Sequence, residues 1–427
     1  MPTVVHALQK RGFIEDITSD ELDQFTRHPR HVYCGFDPTA DSLHLGNLVA
    51  IMGLAWFQRY GHKPVVIVGG ATGLIGDPSG KSHERPLLDE AVIQNNLKGI
   101  TENFKAILDF DDPNTRPLIL NNWEWLKDFS FVEFLRKAGR YFRMGAMLAK
   151  ESVRNRLNTE EGMSFAEFSY QVLQSYDFYH LNQTYDVSIQ IGGSDQWGNI
   201  TAGKDFVRRL TGNTVHGLTF PLITRSDGKK FGKSESGAIW LSPKKLSPYE
   251  FYQYLFRTAD QDVIKLMRML TFMDIEEIQS IEKKMQSPDY VPNTAQKRLS
   301  EEVTRLVHGE EGLKKALSVT SHIRPGTSQS LDTETLEKIA HNLPTYTLSQ
   351  DEIISIKLID LLVNVGVMKS KGEARRLIRN KGLYLNEKLV ETEDFAISHS
   401  DLIENTYLLV SLGKKNKILI QHQEKKE

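Results

Sequence analysis

The chain has 427 residues, of which 40% are hydrophobic and 25% are charged. This composition excludes a largely disordered or membrane-embedded chain, and the length predicts two or three domains. Cys34 is the only cysteine, which excludes an intrachain disulfide and a multi-cysteine metal site. The net charge of −2 hides a basic segment, residues 366–388, which carries seven Lys or Arg against two Glu and is compatible with phosphate contacts.

The first residues, MPTVVHALQKRGFIEDIT, lack the apolar core and the cleavage site of an export signal. The longest apolar run, residues 64–76, is rich in glycine and too short to cross a bilayer. We therefore expect a cytoplasmic protein without membrane contact.

Short β-rich runs alternate with helical patterns from residue 31 to about residue 221. Strands are predicted at residues 31–36, 64–69, 118–120 and 187–191. This alternation predicts an α/β fold with a mostly parallel, Rossmann-like sheet. Glycines follow the second and the fourth strand, at the carboxyl edge of the sheet, where ligands bind in such folds.

The sequence predicts a loop-like bridge at residues 221–248, and a helical pattern then extends to about residue 318. Residues 322–347 are rich in helix breakers and predict a linker. We therefore divide the chain into five segments: a catalytic domain at 1–222, a loop at 223–247, an α-helical domain at 248–322, a linker at 323–350 and a small α+β domain at 351–427.

The motif HLGN, residues 44–47, lies where the first strand leads into a helix. We expect this helix to run from Leu43 until Gly61 stops it, with Asp41 or Ser42 as its N-cap.

His44 and Asn47 are three residues apart and share one face of the first helical turn. They offer two side-chain donors, beside free backbone N–H groups, to a polyanion. Gly46 has no side chain, so a flat ring can approach the backbone there. The tetrapeptide alone is equally consistent with ordinary residues of a helix start.

A second motif, KFGKS, occupies residues 230–234. Lys230 and Lys233 are able to close over a triphosphate and neutralise the departing pyrophosphate, although a solvated basic loop has the same pattern. HLGN and KFGKS, in this order, resemble the HIGH and KMSKS motifs of class I aminoacyl-tRNA synthetases. Asn47 stands where the HIGH motif has its second histidine, and we interpret this change as tolerated because an amide also donates a hydrogen bond.

Three longer segments resemble the bacterial-type tyrosyl-tRNA synthetases: VGGATGLIGDPSGK at 68–81, SYQVLQSYDF at 169–178 and IQIGGSDQWGNITAG at 189–203. The resemblance implies activation of tyrosine by ATP to tyrosyl-adenylate and pyrophosphate, followed by transfer of tyrosine to the 3′-terminal ribose of a tRNA. It also implies Mg²⁺ carried by ATP, no tightly bound cofactor and no protein-bound metal. A homodimer is implied as well, and the phenylalanine-rich residues 128–143 are able to serve an interface or the core.

The same resemblance implies a tyrosine pocket. Tyr33 and Asp177 would hold the phenol hydroxyl, and the ammonium and carboxyl ends would contact Asp77, Tyr170, Gln174 and Gln196. Tyr170, Gln174 and Asp177 follow the spacing i, i+4, i+7, which places them on one helical face.

The residues implied for catalysis are Thr39, His44, Asn47, Lys81, Arg85, Lys230, Lys233 and Ser234. Those implied for ATP binding are Cys34, Gly35, Asp37, His44, Gly46, Asn47, Gly192, Asp195 and Lys233. A small buried thiol is an alternative interpretation of Cys34.

The segment SKGEARRLIRNKGLYLNEK resembles the S-four-type RNA-binding domain, which contacts RNA through phosphates and shape. A solvated basic helix is the alternative. The residues expected to bind RNA are Arg208, Arg209, Lys371, Arg375, Arg376 and Arg379.

Three other classes of protein are weighed against this interpretation. A different nucleotidyl-transfer enzyme would lack both the tyrosine pocket and the RNA-binding domain. A synthetase-derived RNA-binding protein would lack the ATP-handling residues. A tryptophanyl-tRNA synthetase would lack the Tyr33 and Asp177 pair and the C-terminal domain.

Overall fold

A computed structural model describes residues 2–79, 89–226, 228, 231–234, 237–322, 336, 340, 343–413 and 416–423. The chain divides into two compact units, one formed by Met1–Leu246 with Tyr254–Gly309 and the other by Ser247–Gln253 with Glu310–Glu427. Most of the segment predicted at 248–322 thus lies in the first unit. The finer division into five segments stays a prediction.

A five-stranded, all-parallel sheet forms the centre of the first unit, with the order β3-β2-β1-β4-β5. The α/β prediction is therefore confirmed. The chain moves outward from β1 in one direction and then returns to add β4 and β5 on the other side, so the switch point lies between β1 and β4. The strands are β1 His31–Phe36, β2 Lys63–Val68, β3 Leu118–Asn121, β4 Val187–Gly193 and β5 His216–Phe220.

The fifth strand was not predicted. Its sequence, HGLTF, has two polar residues and a glycine, and it lacks the apolar run that marks β2. All five residues are nevertheless buried, because the N-terminal segment covers this edge: Glu15 N donates to Thr219 O at 2.8 Å, and Thr18 N donates to Gly217 O at 3.0 Å. A long-range contact, and not the local pattern, determines this strand.

Helices of the first unit cover the sheet, and two of them border the site. Leu45–Arg59 follows β1 and is buried along most of its length. Phe165–Tyr185 starts at Ser164, whose side chain accepts from Glu167 N, and ends at Asp186 in the left-handed region. The remaining helices are Val4–Lys10, Leu22–Phe25, Thr72–Ile75, Glu90–Lys105, Trp123–Leu126, Phe131–Lys137, Met144–Leu148, Glu151–Leu157, Trp197–Thr211, Asp260–Leu270 and Ile275–Met285, with 3-10 turns at Gly139–Tyr141 and Ser194–Gln196.

Two helical segments contribute to both units. Pro248–Phe256 spans one boundary. Thr294–His322 spans the other, and its helical geometry is interrupted at Gly309, where φ is 68° and ψ is −179°. Glycine adopts this conformation without steric cost, so a helix-like sequence breaks there.

The second unit contains a mixed sheet with the order β10-β9-β11-β12-β8. Its strands are β8 Thr345–Leu348, β9 Leu383–Leu385, β10 Lys388–Leu389, β11 Tyr407–Leu412 and β12 Asn416–His422, and its helices are Gln350–Ile353, Leu358–Asn364 and Lys371–Arg379, with a 3-10 turn at His399–Asp401. Strand β8 pairs parallel with β12, although these residues were predicted as linker. The alternation TYTL is a strand pattern that the surrounding helix breakers obscured.

None of the helices that the structure describes combines the length and the apolar character needed to span a bilayer.

Candidate active site

The candidate site lies at the carboxyl edge of the parallel sheet, where four strands end. Asp37 follows β1, Gly69 follows β2, Asn122 follows β3, and the turn Ser194–Gln196 follows β4. This is the edge predicted from the glycines, and it includes the switch point between β1 and β4.

Tyr33 and Asp177 lie close together in the interior. The Oη of Tyr33 is buried and has no hydrogen-bond partner among the described residues. Burial raises the pKa of Tyr33 well above its ordinary value, and the nearby Asp177 carboxylate raises it further. Burial also raises the pKa of Asp177 to about 7. A hydroxyl and a carboxyl group are thus both buried, and the charge of the carboxylate affects the pKa of the hydroxyl.

Two residues that the sequence analysis missed hold the Asp177 carboxylate. The Nδ2 of Asn122 donates to its Oδ2 at 3.0 Å, and the Nε1 of Trp125 donates to its Oδ1 at 2.7 Å. These hydrogen bonds oppose part of the rise in the pKa of Asp177. The signal was present, because NNWEW places polar and aromatic residues directly after a strand of a parallel sheet.

A hydrogen-bond chain connects Asp177 to Asp37. Asn122, which is fully buried, donates through Nδ2 to Thr72 Oγ1 as well, at 3.0 Å. Thr72 Oγ1 donates to Asp37 Oδ1 at 3.0 Å, and Tyr170 Oη donates to Asp37 Oδ2 at 3.0 Å. Asp37, which the family resemblance assigned to ATP, therefore contacts a residue expected to bind tyrosine.

A second polar cluster surrounds the Gln196 side chain. Its Nε2 donates to Asp77 Oδ2 at 2.6 Å, and its Oε1 accepts from Gln174 Nε2 at 3.3 Å. Asn199, which was not predicted, donates to Gln174 Oε1 at 3.1 Å and to Ser79 Oγ at 3.2 Å. The structure thus brings together three of the predicted tyrosine-binding residues through a network of amides and one carboxylate.

Cys34 lies in β1 and Asp195 in the turn after β4, the two strands that flank the switch point. Burial raises the pKa of the Cys34 thiol to about 12, and the Asp195 carboxylate contributes to this rise. Close packing explains the two glycines of β4. A Cβ on Gly193 would lie 2.5 Å from Asp195 Oδ1, and one on Gly192 would lie 3.1 Å from Gln196 Cβ.

The helix after β1 begins differently from the prediction. Its first residue is Leu45, and its N-cap is His44 and neither Asp41 nor Ser42. The reason is a reciprocal capping box: His44 Nδ1 accepts from Gly46 N at 3.1 Å, and Asn47 Oδ1 accepts from His44 N at 3.1 Å. Ser42 Oγ instead donates to Leu43 O at 2.8 Å.

The expectation of free backbone N–H groups at this helix start is wrong for its first three residues. Leu45 N donates to Ile239 O at 2.7 Å, Gly46 N to His44 Nδ1, and Asn47 N to His44 O at 2.8 Å. The side chains of His44 and Asn47 use their acceptor atoms in the capping box. A neutral imidazole that accepts at Nδ1 carries its proton on Nε2, and an amide that accepts at Oδ1 keeps its Nδ2 hydrogens to donate.

The glycine of KFGKS packs against the glycine of HLGN. Gly232, with φ of 84°, donates from N to Tyr254 Oη at 3.1 Å and accepts at O from Ile239 N at 2.9 Å. A Cβ on Gly232 would lie 2.8 Å from Gly46 N. The backbones of the two motifs are therefore adjacent, as the family resemblance requires.

Several predicted catalytic residues lie outside the described residues: Lys81, Arg85 and Lys230. The backbones of Lys233 and Ser234 form a short strand, β6, which pairs antiparallel with β7, Gly237–Ala238. Gly35 and Thr39 are exposed at the end of β1 and just beyond it.

The residues predicted to bind RNA lie on two helices, one in each unit. Arg208 and Arg209 are exposed at the end of Trp197–Thr211, roughly 18 Å along the helix from Gln196 at 1.5 Å per residue. In the second unit, Lys371, Arg375, Arg376 and Arg379 lie on one exposed helix.

Acidic residues neutralise part of this basic helix. Glu393 accepts a hydrogen bond from Arg379 Nε at 2.8 Å and forms an ion pair with Arg375, whose Nε lies 3.3 Å from Glu393 Oε2. Lys371 forms an ion pair with Asp360 at 2.9 Å.

Comparison with known proteins identifies the family. Residues 26–323 match the family model described as tRNA synthetases class I (W and Y), and residues 335–420 match the tyrosine–tRNA ligase SYY-like C-terminal domain. A tyrosine–tRNA ligase of Protochlamydia amoebophila is 59% identical over 99% of this chain and 100% of its own length. The chain belongs to the tyrosine–tRNA ligases.

Another member of this family, a chloroplastic and mitochondrial tyrosine–tRNA ligase of Arabidopsis thaliana, is 50% identical over 98% of this chain and 84% of its own length. Among solved structures, a C-terminally truncated mitochondrial tyrosyl-tRNA synthetase of Aspergillus nidulans is 31% identical with a TM-score of 0.67, covering 75% of this chain and 94% of that one. A tyrosyl-tRNA synthetase of Archaeoglobus fulgidus, 16% identical with a TM-score of 0.53 over 74% of this chain and 99% of that one, shares the fold.

Proposed function

We propose that the site first joins tyrosine to ATP, giving tyrosyl-adenylate and pyrophosphate, and then transfers tyrosine to the 3′-terminal ribose of a tRNA. As a class I tRNA synthetase of the tyrosine type, the chain uses ATP as a substrate. The observation that carries the choice of amino acid is the buried Tyr33 hydroxyl without a partner, beside the buried Asp177 carboxyl group. A buried polar group without a partner is costly unless a ligand satisfies it.

A tyrosine phenol supplies what this pair lacks. Its hydroxyl would donate to the Asp177 carboxylate, whose oxygens each retain a lone pair, and would accept from Tyr33. Phenylalanine would leave both groups buried and without that partner. Rejection of phenylalanine by about 10⁵ is the magnitude for which this enzyme family is itself the standard example.

The polar cluster around Gln196 would hold the other end of the amino acid. The Asp77 carboxylate would attract the ammonium group, with Tyr170 and Gln174 as further contacts. Gln196 would contact the carboxyl group, whose oxygen attacks the α-phosphorus of ATP while pyrophosphate leaves. A ribose hydroxyl of the tRNA then attacks the carbonyl of the adenylate, and AMP leaves. The protein need not supply a nucleophile.

The HLGN and KFGKS motifs would stabilise negative charge on the phosphates through donors held in place before the reaction. The capping box uses His44 Nδ1 and Asn47 Oδ1, so His44 Nε2 and Asn47 Nδ2 are the atoms that would donate to the phosphates. Cys34 and Asp195 would contact the ribose. Mg²⁺ would enter bound to the triphosphate. The further phosphate contacts that the family resemblance implies are Thr39, Lys81, Arg85, Lys230, Lys233 and Ser234.

Exchange of labelled pyrophosphate into ATP tests this proposal. It should require tyrosine and fail with phenylalanine or tryptophan. Asp177→Asn and Tyr33→Phe should raise KM for tyrosine and reduce discrimination against phenylalanine. Asp186→Asn, at the end of the same helix, is the matched control and should change neither. Equal exchange with tyrosine and phenylalanine in the unmodified protein would refute the pocket.

A homodimer is the second part of the proposal. Four large apolar side chains between residues 131 and 165 are exposed, each between 58% and 66% accessible: Phe131, Val132, Met144 and Phe165. Large apolar surface exposed in this way is typical of an interface. Phe165→Asp should therefore shift the protein from dimer to monomer in sedimentation velocity. Val291→Asp, at an equally exposed position, should leave the dimer intact, and a wild-type monomer would contradict the proposal.

The basic helix Lys371–Arg379 would bind the variable arm and the anticodon side of the tRNA, as the family resemblance implies, while Arg208 and Arg209 would approach the acceptor arm. The cytoplasmic location stays a prediction, since one relative is chloroplastic and mitochondrial.

A further inference from the structure

One helix holds the indole of Trp125 at two points. The Nε1 of Trp125 donates to Asp177 Oδ1 at 2.7 Å. The face of the same indole stacks on the imidazole of His180, with ring centroids 4.5 Å apart and an interplanar angle of 16°. Asp177 and His180 are three residues apart on Phe165–Tyr185, so both contacts come from one helical face.

Trp125 needs such support because its own element is short. It lies on Trp123–Leu126, a helix of four residues, and a single turn has little stability without tertiary contacts. A hydrogen bond weakens steeply as its donor turns away from the acceptor. The stack fixes the plane of the indole, and the plane determines where the N–H points.

His180 contacts Trp125 as a flat, uncharged ring. Burial lowers the pKa of His180, which favours the neutral imidazole at neutral pH. The ring of Tyr185 also packs near it, with centroids 6.3 Å apart and planes at 59°. The His180 ring thus contacts two aromatic residues, which limits its freedom to turn away from Trp125.

We propose that His180 is a positioning residue for tyrosine recognition: its ring fixes the Trp125 indole, and the indole N–H fixes the Asp177 carboxylate that receives the substrate phenol. His180 acts through Trp125 and does not itself contact tyrosine. This inference rests on the proposed role of Asp177, and the experiment below separates the two.

The test is tyrosine-dependent pyrophosphate exchange with the full chain. His180→Ala should raise KM for tyrosine about three- to tenfold, the range expected for the loss of one aromatic pair, with kcat and KM for ATP unchanged. His180→Phe retains a flat ring and should restore KM. His180→Leu fills space without a flat ring and should behave like His180→Ala. If His180→Ala does not fold, the comparison of His180→Leu with His180→Phe tests the inference.

A double-mutant cycle separates positioning from general packing. In a Trp125→Phe background, which has lost the indole donor, His180→Ala should not raise KM for tyrosine further. A full additional increase there, or equal KM values for the Leu and Phe variants, would overturn the inference.

Asp177→Asn separates the proposed role of His180 from the proposed function of the Tyr33 and Asp177 pair. If it raises KM for tyrosine while His180→Ala and His180→Leu do not, only the role of His180 is wrong. If Asp177→Asn itself leaves KM and discrimination unchanged, the proposed function of the pair fails, and the inference fails with it.

Discussion

Asp177 is a carboxylate in a place where water cannot hydrate it, and its chemistry follows from that burial. Burial raises its pKa from an ordinary 3.8 to about 7, although Asn122 and Trp125 donate hydrogen bonds to the charged form. The protonated carboxyl group is therefore well populated in the unliganded protein near neutral pH. The group that would receive the phenol is thus sensitive to pH in the physiological range.

This shift predicts a pH dependence of tyrosine binding. The carboxylate, and not the carboxylic acid, accepts the phenol hydrogen, so KM for tyrosine should fall as pH rises from about 6 to about 8 and level off above. Asp177→Asn should flatten this profile, while Asp186→Asn should retain it. A KM profile that is flat in the unmodified protein would contradict the raised pKa.

The same shift affects stability with a definite sign. Between 3.8 and about 7 the folded state holds a proton on Asp177 that the unfolded state has released. Asp177 therefore contributes to the free energy of unfolding below its unfolded-state pKa of 3.8, and this contribution is lost as pH rises through its folded-state pKa of about 7. The folded protein is thus less stable at neutral pH than it would be with an unburied carboxylate, and the proposed recognition of the phenol requires this burial.

The pocket shows which residues a sequence can reveal. The spacing of Tyr170, Gln174 and Asp177 predicted one helical face, and in the structure each of the three makes a hydrogen bond to another element at the sheet edge. The position of Asn122 directly after β3 marked it as a candidate, but its partners, and those of Asn199, depend on which strand end or turn lies opposite. That information is in the tertiary packing.

At the scale of elements, the start of Leu45–Arg59 shows how local chemistry separates structure from catalysis. Asn47 has two functions on two atoms: Oδ1 accepts from His44 N and caps the helix, while Nδ2 is the proposed donor to ATP. The sequence revealed the motif but not the cap, because reciprocal hydrogen bonds made His44 a better N-cap than Asp41 or Ser42 in this setting.

Asn47→Asp separates these functions. The carboxylate retains the capping acceptor and suits the positive end of the helix, so the thermal midpoint should stay within a few degrees. It removes the donor and adds a negative charge beside the phosphates, so kcat for pyrophosphate exchange should fall by at least about 10²-fold. KM for tyrosine should change little.

Asn47→Ala provides the comparison, since it loses both atoms and should lower stability as well as kcat. If Asn47→Asp retained full activity, a donor role for Asn47 Nδ2 would be untenable.

Other elements were not predicted because they are stabilised by distant parts of the chain and not by their local sequence. β5 is short and partly polar and exists because the N-terminal segment covers it. β8 lies among helix breakers and exists because β12 pairs with it. Local patterns predicted the strands with long apolar runs, such as β2, which is buried from Pro64 to Val68.

At the scale of the whole molecule, we expect the two compact units to perform two separable tasks. Gly309 marks their boundary with a left-handed φ inside a helix-like sequence, and no periodicity signal reports such a break. The first unit contains the proposed tyrosine and ATP sites, and the second contains the basic helix. Changes on that helix should therefore affect the transfer to tRNA and leave amino-acid activation intact.

Arg376 is the sharpest place to test this separation. Arg375 and Arg379 share the Glu393 carboxylate, whereas Arg376, exposed on the same helix, forms no ion pair with any described residue. A paired arginine must leave its carboxylate to reach a phosphate, and Arg376 does not incur that loss. Arg376→Gln should therefore raise KM for tRNA more than Arg375→Gln does, and it should reduce the salt dependence of tRNA binding by about one phosphate contact.

Pyrophosphate exchange should be the same in both arginine variants and the unmodified protein, because tRNA takes no part in the proposed activation step. Equal tRNA affinities across the three proteins would show that this helix does not face the RNA. A loss of exchange in Arg376→Gln would instead show that the second unit contributes to activation itself. The charge pattern argues against both of these contradicting outcomes. Glu393 and Asp360 neutralise the other cations of the helix, and Arg376 is therefore the residue of this helix best able to contact a phosphate.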